Sequence, residues 1–146
     1  MGEVFSKSLL GTKKPNIGIL NVGSEEIKGT EMLKTASKKL KELSSEDNFI
    51  YKGYIEGNNI MSGESNIIVT DGFTGNIALK TAEGTAKFIT KNLKNTLTEN
   101  LMSRLSLLLA YFPLKKFKEK LDPRKYNGAI FLGLNGTVVK SHGGID

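Results

Sequence analysis

Cysteine is absent from this 146-residue chain, and histidine occurs once, as His142. Without thiols there is no disulfide framework, no thiolate metal site and no cysteine nucleophile, and a reducing compartment suits the composition. A lone imidazole excludes a multi-histidine metal centre built by this chain alone. Residues 1–10 lack the basic head and apolar block of a secretory signal. The longest apolar run, residues 107–112, is far shorter than the ~20 residues of a spanning helix. The expectation is a chain that is soluble or lies on a surface, in the cytoplasm.

What is present is basic. Lys and Arg number 21 against 15 Asp and Glu, a formal net charge of +6, and the length fits about one domain with a real core. The excess is concentrated at residues 114–125, where Lys115, Lys116, Lys118, Lys120, Arg124 and Lys125 stand against Glu119 and Asp122. Such a patch suits an acidic partner, whether anionic lipid, nucleic acid or an acidic carrier protein; it equally suits a solvated face.

The rest of the chain is organised around residues 67–81, IIVTDGFTGNIALKT. Ile67, Ile68 and Val69 read as a strand buried on both faces of a parallel sheet, and Thr70-Asp71-Gly72 breaks the run. Good helix formers take over from Ile77, with Gly72, Gly75 and Asn76 in the passage between. A strand that opens through a glycine-bearing turn into a helix leaves backbone N–H groups at the positive end of the helix dipole, where a phosphate is readily held. The same residues also suit a turn that binds nothing.

Upstream, residues 1–10 have helical character with Val4, Phe5, Leu9 and Leu10 near one face, closed by Gly11-Thr12. Residues 16–21 form a buried strand through Ile17, Ile19 and Leu20. Val22-Gly23-Ser24 then turns the chain, with Gly23 or Ser24 as N-cap and Glu25 and Glu26 in the first helical turn. That helix carries Leu33, Ala36, Leu40 and Leu43 on one stripe, and Lys34, Lys38, Lys39 and Lys41 toward water, ending near Ser44-Ser45. Residues 49–51 and 54–57 read as two extended pieces before an Asn58-Asn59 turn. Strand, helix, strand in alternation calls for a mostly parallel sheet.

From Thr81 a long helix presents Ile89, Leu93, Leu97, Leu101 and Leu105 every fourth residue, and becomes apolar almost all round up to Phe112. Pro113 is expected to break it, with Leu114, Phe117 and Leu121 continuing the ridge on a second, lysine-wrapped helix. By periodicity this amphipathic pair, at about residues 85–121, favours packing against a partner subunit over dipping into a membrane interface. A loop from Asp122-Pro123 to Gly128 leads to a strand at 129–132, a Gly133–Gly136 turn and a strand at 137–140. Residues 141–146 look like the opening of a further strand-to-helix turn.

Three passages, NIGILNVGSEEIKGTE (16–31), NIIVTDGFTGNIALKTAEG (66–84) and FLGLNGTVVKSHGG (131–144), resemble in order and spacing the C-terminal half of the bacterial phosphate acyltransferases of phospholipid synthesis, the acyl-[acyl-carrier-protein]:phosphate transacylases. More distantly, the last two look like the P-D-x-x-x-G-N and S-R-G segments of phosphotransacetylases, whose serine and arginine lie at the active site. The resemblance covers nearly the whole chain. It implies an α/β, three-layer α/β/α fold with a mostly parallel sheet, like isocitrate and isopropylmalate dehydrogenases. It also implies transfer of a fatty acyl group from acyl-carrier protein to inorganic phosphate, with no metal or nucleotide cofactor. The acyl phosphate would pass to a glycerol-3-phosphate acyltransferase. A homodimer attached peripherally to the anionic cytoplasmic membrane surface is implied as well, with no nucleic acid partner. Docking is thereby assigned to Leu105, Leu108, Leu109, Phe112, Lys115 and Lys116. Against the family pattern an N-terminal half and the helix after His142 are missing, so the expectation is a fragment truncated at both ends and inactive alone.

The chemistry explains these residue types. Phosphate oxygen attacks a thioester carbonyl, and the thiolate leaves readily because its conjugate acid has a pKa of about 8 to 9. The requirements are a phosphate seat, donors for the tetrahedral oxyanion, and exclusion of water. Gly72, Thr74, Gly75, Asn76 and Asn135 are the phosphate- and substrate-binding candidates, and Ser141, His142 and Asp71 the catalytic ones. Ser141 would orient and His142 carry a proton. Asp71 would repel phosphate if it pointed inward, so it either holds the turn or accepts a proton. His142 also fits a hydrogen-bonded histidine at a strand end. Two alternatives remain: a hydroxy-dicarboxylate dehydrogenase of the same fold, although the paired D-x-x-x-D that holds its metal does not occur here, and a non-catalytic, lipid-docking module.

Overall fold

The computed structural model describes residues 1–44, 48–121 and 128–141; within the last helix of that range the side chains of 104–106, 108, 109, 118, 120 and 121 lie outside the description. The chain divides into two compact units, Met1–Gly75 and Asn76–Asp146.

The first unit is built on a three-stranded parallel sheet, β1 (Asn16–Leu20), β2 (Ile50–Ile55) and β3 (Ile67–Val69), in the order β2-β1-β3. Flanking helices are α1 (Gly2–Leu10), next to β3, and α2 (Glu31–Leu43), next to β2. The fold is α/β, as the alternation of strand and helix signals implies. Its central strand is β1 rather than 67–69, and Ile17, Ile19 and Leu20 are buried there together with Pro15, Phe49 and Ile55. β3 pairs only with β1 among the described strands, which leaves Val69 42 % exposed instead of covered on both faces.

Several local expectations are corrected. In α1 Ser6 is buried and Gly2 and Phe5 are half-buried, while Val4, Leu9 and Leu10 are exposed. Gly2 lets the helix close on β3, since a Cβ there would lie 3.3 Å from Ile67 Cγ2. Gly11 does end the helix, with φ 67° and its N–H on the Ser6 carbonyl. α2 starts neither at Gly23 nor at Ser24 but after Thr30, whose hydroxyl accepts from the Leu33 N–H. Glu25 and Glu26 therefore lie in a loop. Leu33, Ala36 and Leu40 are half-buried on the expected stripe, Leu43 is exposed, and the Tyr51 hydroxyl donates to Ser37 Oγ at 2.7 Å to tie α2 to β2.

Residues 50–55 form one strand rather than two pieces. The register steps from Ile17↔Tyr51 to Gly18↔Gly53, so Lys52 is the extra residue of a bulge and Gly53 takes φ 84°. A short 3₁₀ turn (Gly57–Asn59) follows, at the asparagine turn the sequence marks.

α3 (Gly72–Thr98) begins at Gly72, five residues before Ile77, because Asp71 caps it and the glycines are helical. The break in the long apolar ridge falls at Glu99-Asn100, where Asn100 Oδ1 accepts from the Ser103 N–H and opens α4 (Leu101–Leu121). Pro113 lies inside α4 and does not end it. A proline removes one N–H and crowds one carbonyl; a strong cap thirteen residues earlier decides where the helix starts. In the second unit β4 (Ala129–Ile130) and β5 (Val139–Lys140) form an antiparallel hairpin, each shorter than 129–132 and 137–140. The loop expected at 122–127 and the turn opening at 142–146 lie outside the described residues.

Candidate functional site at the carboxyl edge of the parallel sheet

β1 is followed by a connection to β2 on one side of it, and the chain then reaches β3 on the other. In an open α/β sheet the crevice outside the carboxyl ends of two such strands is where ligands are held. The register pairs Ile19 with Val69, and carried forward it brings Asn21 level with Asp71. Two segments, 21–30 and 70–75, therefore leave the sheet side by side about 5 Å apart.

The 21–30 segment is folded around Asn21, which is 7 % exposed. Its N–H extends the sheet ladder to the Ile55 carbonyl at 2.9 Å. Its Oδ1 accepts from Val22 N–H at 2.9 Å, and its amide donates to the Lys28 carbonyl at 3.2 Å, which closes the loop. Gly29 sits at φ 88° directly against that amide, so only glycine fits. Lys28 Nζ pairs with Glu25 Oε1 at 2.7 Å, and both side chains cross the bare backbone of Gly23, where a Cβ would be 2.9 Å from Nζ. Hydrogen bonding to Glu25, then its charge, raises the Lys28 pKa, and the bond from Lys28 lowers that of Glu25. The loop thus presents an exposed Lys28–Glu25 ion pair.

On the neighbouring strand the Asp71 carboxylate accepts from the Thr74 N–H at 2.8 Å, and its carbonyl accepts from Gly75 N–H at 3.0 Å. The Thr74 hydroxyl and amide, with help from the Phe73 N–H, hold the Asp71 carboxyl below its ordinary value. It remains an anion at neutral pH and caps the helix. Gly75 is small because Thr70 Cγ2 would lie 2.6 Å from a Cβ.

Asp71, Gly72, Thr74 and Gly75 are thus brought together in one cap, and Asn76 follows them, exposed, on α3. In the second unit Asn135 is in the hairpin turn, while Ser141 follows β5 at the opposite end of that hairpin; both are exposed. His142 lies outside the described residues, as do the side chains of Leu105, Leu108 and Leu109; Phe112, Lys115 and Lys116 are exposed on α4. From the sequence, Asn21 reads as a strand end and Lys28 as part of a helix. The signal that marks them is the pair Gly23 and Gly29, which brackets a loop rather than a helix start.

A cavity of about 380 Å³ in the first unit, lined by Asn16, Lys52, Tyr54, Asn59, Ser62 and Glu64 among others, shares no residue with this rim. Among the described residues no three His, Asp or Glu side chains gather as a metal site requires. No described helix is long and apolar enough to cross a membrane.

What the described residues show is an α/β sheet whose β1 and β3 open at their carboxyl ends into an ion-paired loop and an Asp71-capped helix N-terminus, the place where open α/β sheets hold ligands. Sequence comparison names the family. The family model described as "Fatty acid synthesis protein" matches residues 1–146, and the chain belongs to that family. Among curated relatives named phosphate acyltransferase, that of Pelagibacter ubique (strain HTCC1062) is 56 % identical over all 146 residues, which make up 44 % of its own length. That of Granulibacter bethesdensis (strain ATCC BAA-1260 / CGDNIH1) is 51 % identical over the whole chain and 39 % of its length. For Rhodobacter capsulatus the values are 48 % and 37 %. The chain spans about two fifths of the length of these relatives.

Proposed function

We propose that this chain carries the phosphate-handling rim of an acyltransferase that moves a fatty acyl group from the thioester of acyl-carrier protein to inorganic phosphate, for use by a glycerol-3-phosphate acyltransferase in phospholipid synthesis. The observation that carries the reading is the adjacency of the Asn21–Lys28 loop and the Asp71-capped helix at the carboxyl ends of β1 and β3. Phosphate sits against the Lys28 ammonium and the first N–H groups of α3. Asp71 already occupies the Thr74 amide and Glu25 already pairs with Lys28, so phosphate must compete with Glu25 for the ammonium. A phosphate oxygen then forms the new C–O bond, the C–S bond breaks, and the thiolate leaves. By the resemblance alone, Asn76 and Asn135 are the amide donors, Ser141 the orienting hydroxyl and His142 the proton carrier of such an enzyme.

The test is release of carrier thiol from acyl-[acyl-carrier-protein], run with this chain and with the same residues set in a full-length relative. Release must depend on added phosphate and collapse in Lys28→Met; equal release without phosphate removes the reading.

A membrane-surface role for α4 is part of the proposal. Leu101, Met102, Tyr111 and Phe112 are exposed, with Phe112 at 79 %, beside the exposed Lys115 and Lys116. Anionic vesicles should float the protein, and Phe112→Asp should weaken flotation; flotation that ignores both lipid charge and this change discards the docking. The exposed Phe73 and Phe88 of α3 suit burial against a second copy of the chain.

A further inference from the structure

Glu56 follows β2, one strand removed from the β1–β3 crevice, and the phosphate chemistry has no use for it. Its side chain nevertheless reaches into the rim loop: Oε1 accepts from the Ser24 N–H at 3.2 Å. Ser24 lies between Gly23, over which Lys28 passes, and Glu25, which pairs with Lys28. The loop is thus referenced to the end of β2 twice, at its start through Asn21 N–H and the Ile55 carbonyl and in its middle through Glu56. Glu56 is itself well placed to hold. It is half-buried, its backbone is extended (φ −85°, ψ 160°), and the 3₁₀ turn begins immediately after it.

We infer that Glu56 is a positioning residue of the anion site: by accepting from the Ser24 amide it sets the conformation of the loop that carries Lys28 to the carboxyl edge of β1. Its part in phosphate handling rests on the function proposed above, whereas the loop contact stands on geometry alone. What the contact requires is an acceptor at this reach. A full negative charge beside a phosphate works against binding, so charge alone gives Glu56 no role there. Lys28 feels Glu56 only as a lesser influence after Glu25, which agrees with action through the loop.

Two substitutions separate reach from charge. Glu56→Gln keeps the acceptor and loses the charge; Glu56→Asp keeps the charge and is one methylene too short. The readouts are the Ser24 amide, followed in the ¹⁵N-labelled chain by chemical shift and hydrogen exchange, and the response of the 21–30 amides to inorganic phosphate. Glu56→Gln should leave the Ser24 amide protected and phosphate binding within about twofold of the parent, and Glu56→Asp should deprotect that amide and weaken binding about three- to tenfold, the size of one hydrogen bond. The reverse order, with Asp like the parent and Gln impaired, overturns the inference, as does a Ser24 amide that ignores both changes. Should the parent chain show no response to phosphate, the function proposed above falls, and the Ser24 amide in the two variants still decides whether Glu56 holds the loop.

Discussion

The Asp71 carboxylate and the Asn21 amide do at residue scale what the rim requires. Asp71 is bound by the Thr74 hydroxyl and N–H, which lowers its pKa in the folded protein. A depressed carboxylate pKa means that the folded state binds the proton less readily than the unfolded chain. Its support is therefore complete above the ordinary carboxylate pKa and is lost as pH falls through the lower, folded value. Acidification should loosen the first turn of α3 before the sheet, read as a fall in the protection factor of the Thr74 amide relative to its intrinsic, pH-dependent exchange rate; Asp71→Ala should show that low protection factor at neutral pH and no further fall on acidification. Asn21 is buried and bonded on both amide atoms. Asn21→Ala leaves the Lys28 carbonyl and Val22 N–H without their partner and should cost about 1–3 kcal/mol in chemical denaturation. A loss far below that would mean water replaces the amide with ease.

Among elements, α3 offers the sharpest contrast, because the same change should have opposite signs at two of its glycines. A Cβ at Gly84 would meet nothing within 4 Å, so Gly84→Ala should stabilise by up to about 1 kcal/mol on helix propensity. A Cβ at Gly75 would lie 2.6 Å from Thr70 Cγ2, so Gly75→Ala must shift the cap and should cost about 1–3 kcal/mol. Denaturation midpoints of the two variants decide it, and a shared sign would show that Thr70 moves freely. Pro113 belongs to the same scale. Within α4 it leaves one carbonyl without its helical donor, so Pro113→Ala should raise helicity measured by circular dichroism.

For the whole molecule, the described core is small and centred on β1, with Ile19 only 1 % exposed. Gly18 beside it is there because the Ile55 side chain occupies the space of its missing Cβ. Ile19→Ala should cost about 2–5 kcal/mol, a large share of the roughly 5–15 kcal/mol that holds a typical domain folded. Because the rim loops spring from the ends of β1 and β3, this change should also abolish any rise in melting temperature with added phosphate. A variant that keeps the phosphate effect would separate the site from the core.

Read by itself, the amino-acid order determined what depends on neighbours along the chain. The buried run of 17–20, the glycine stop at Gly11, the amphipathic stripe of 33–40 and the strand-to-helix passage after Val69 all rest on local periodicity or on one residue's backbone freedom. Tertiary structure decided whatever rests on a partner distant in sequence. Glu25 and Glu26 look like a helix start until Asn21 closes a loop on Lys28, and Gly75 looks like part of a turn until the helix takes it in with Thr70 filling the space beside it. Likewise 67–69 looks like a central strand until pairing puts β1 in the middle. Strand order and loop closure are settled by contacts across the sheet, and such contacts leave no period in the sequence to be read.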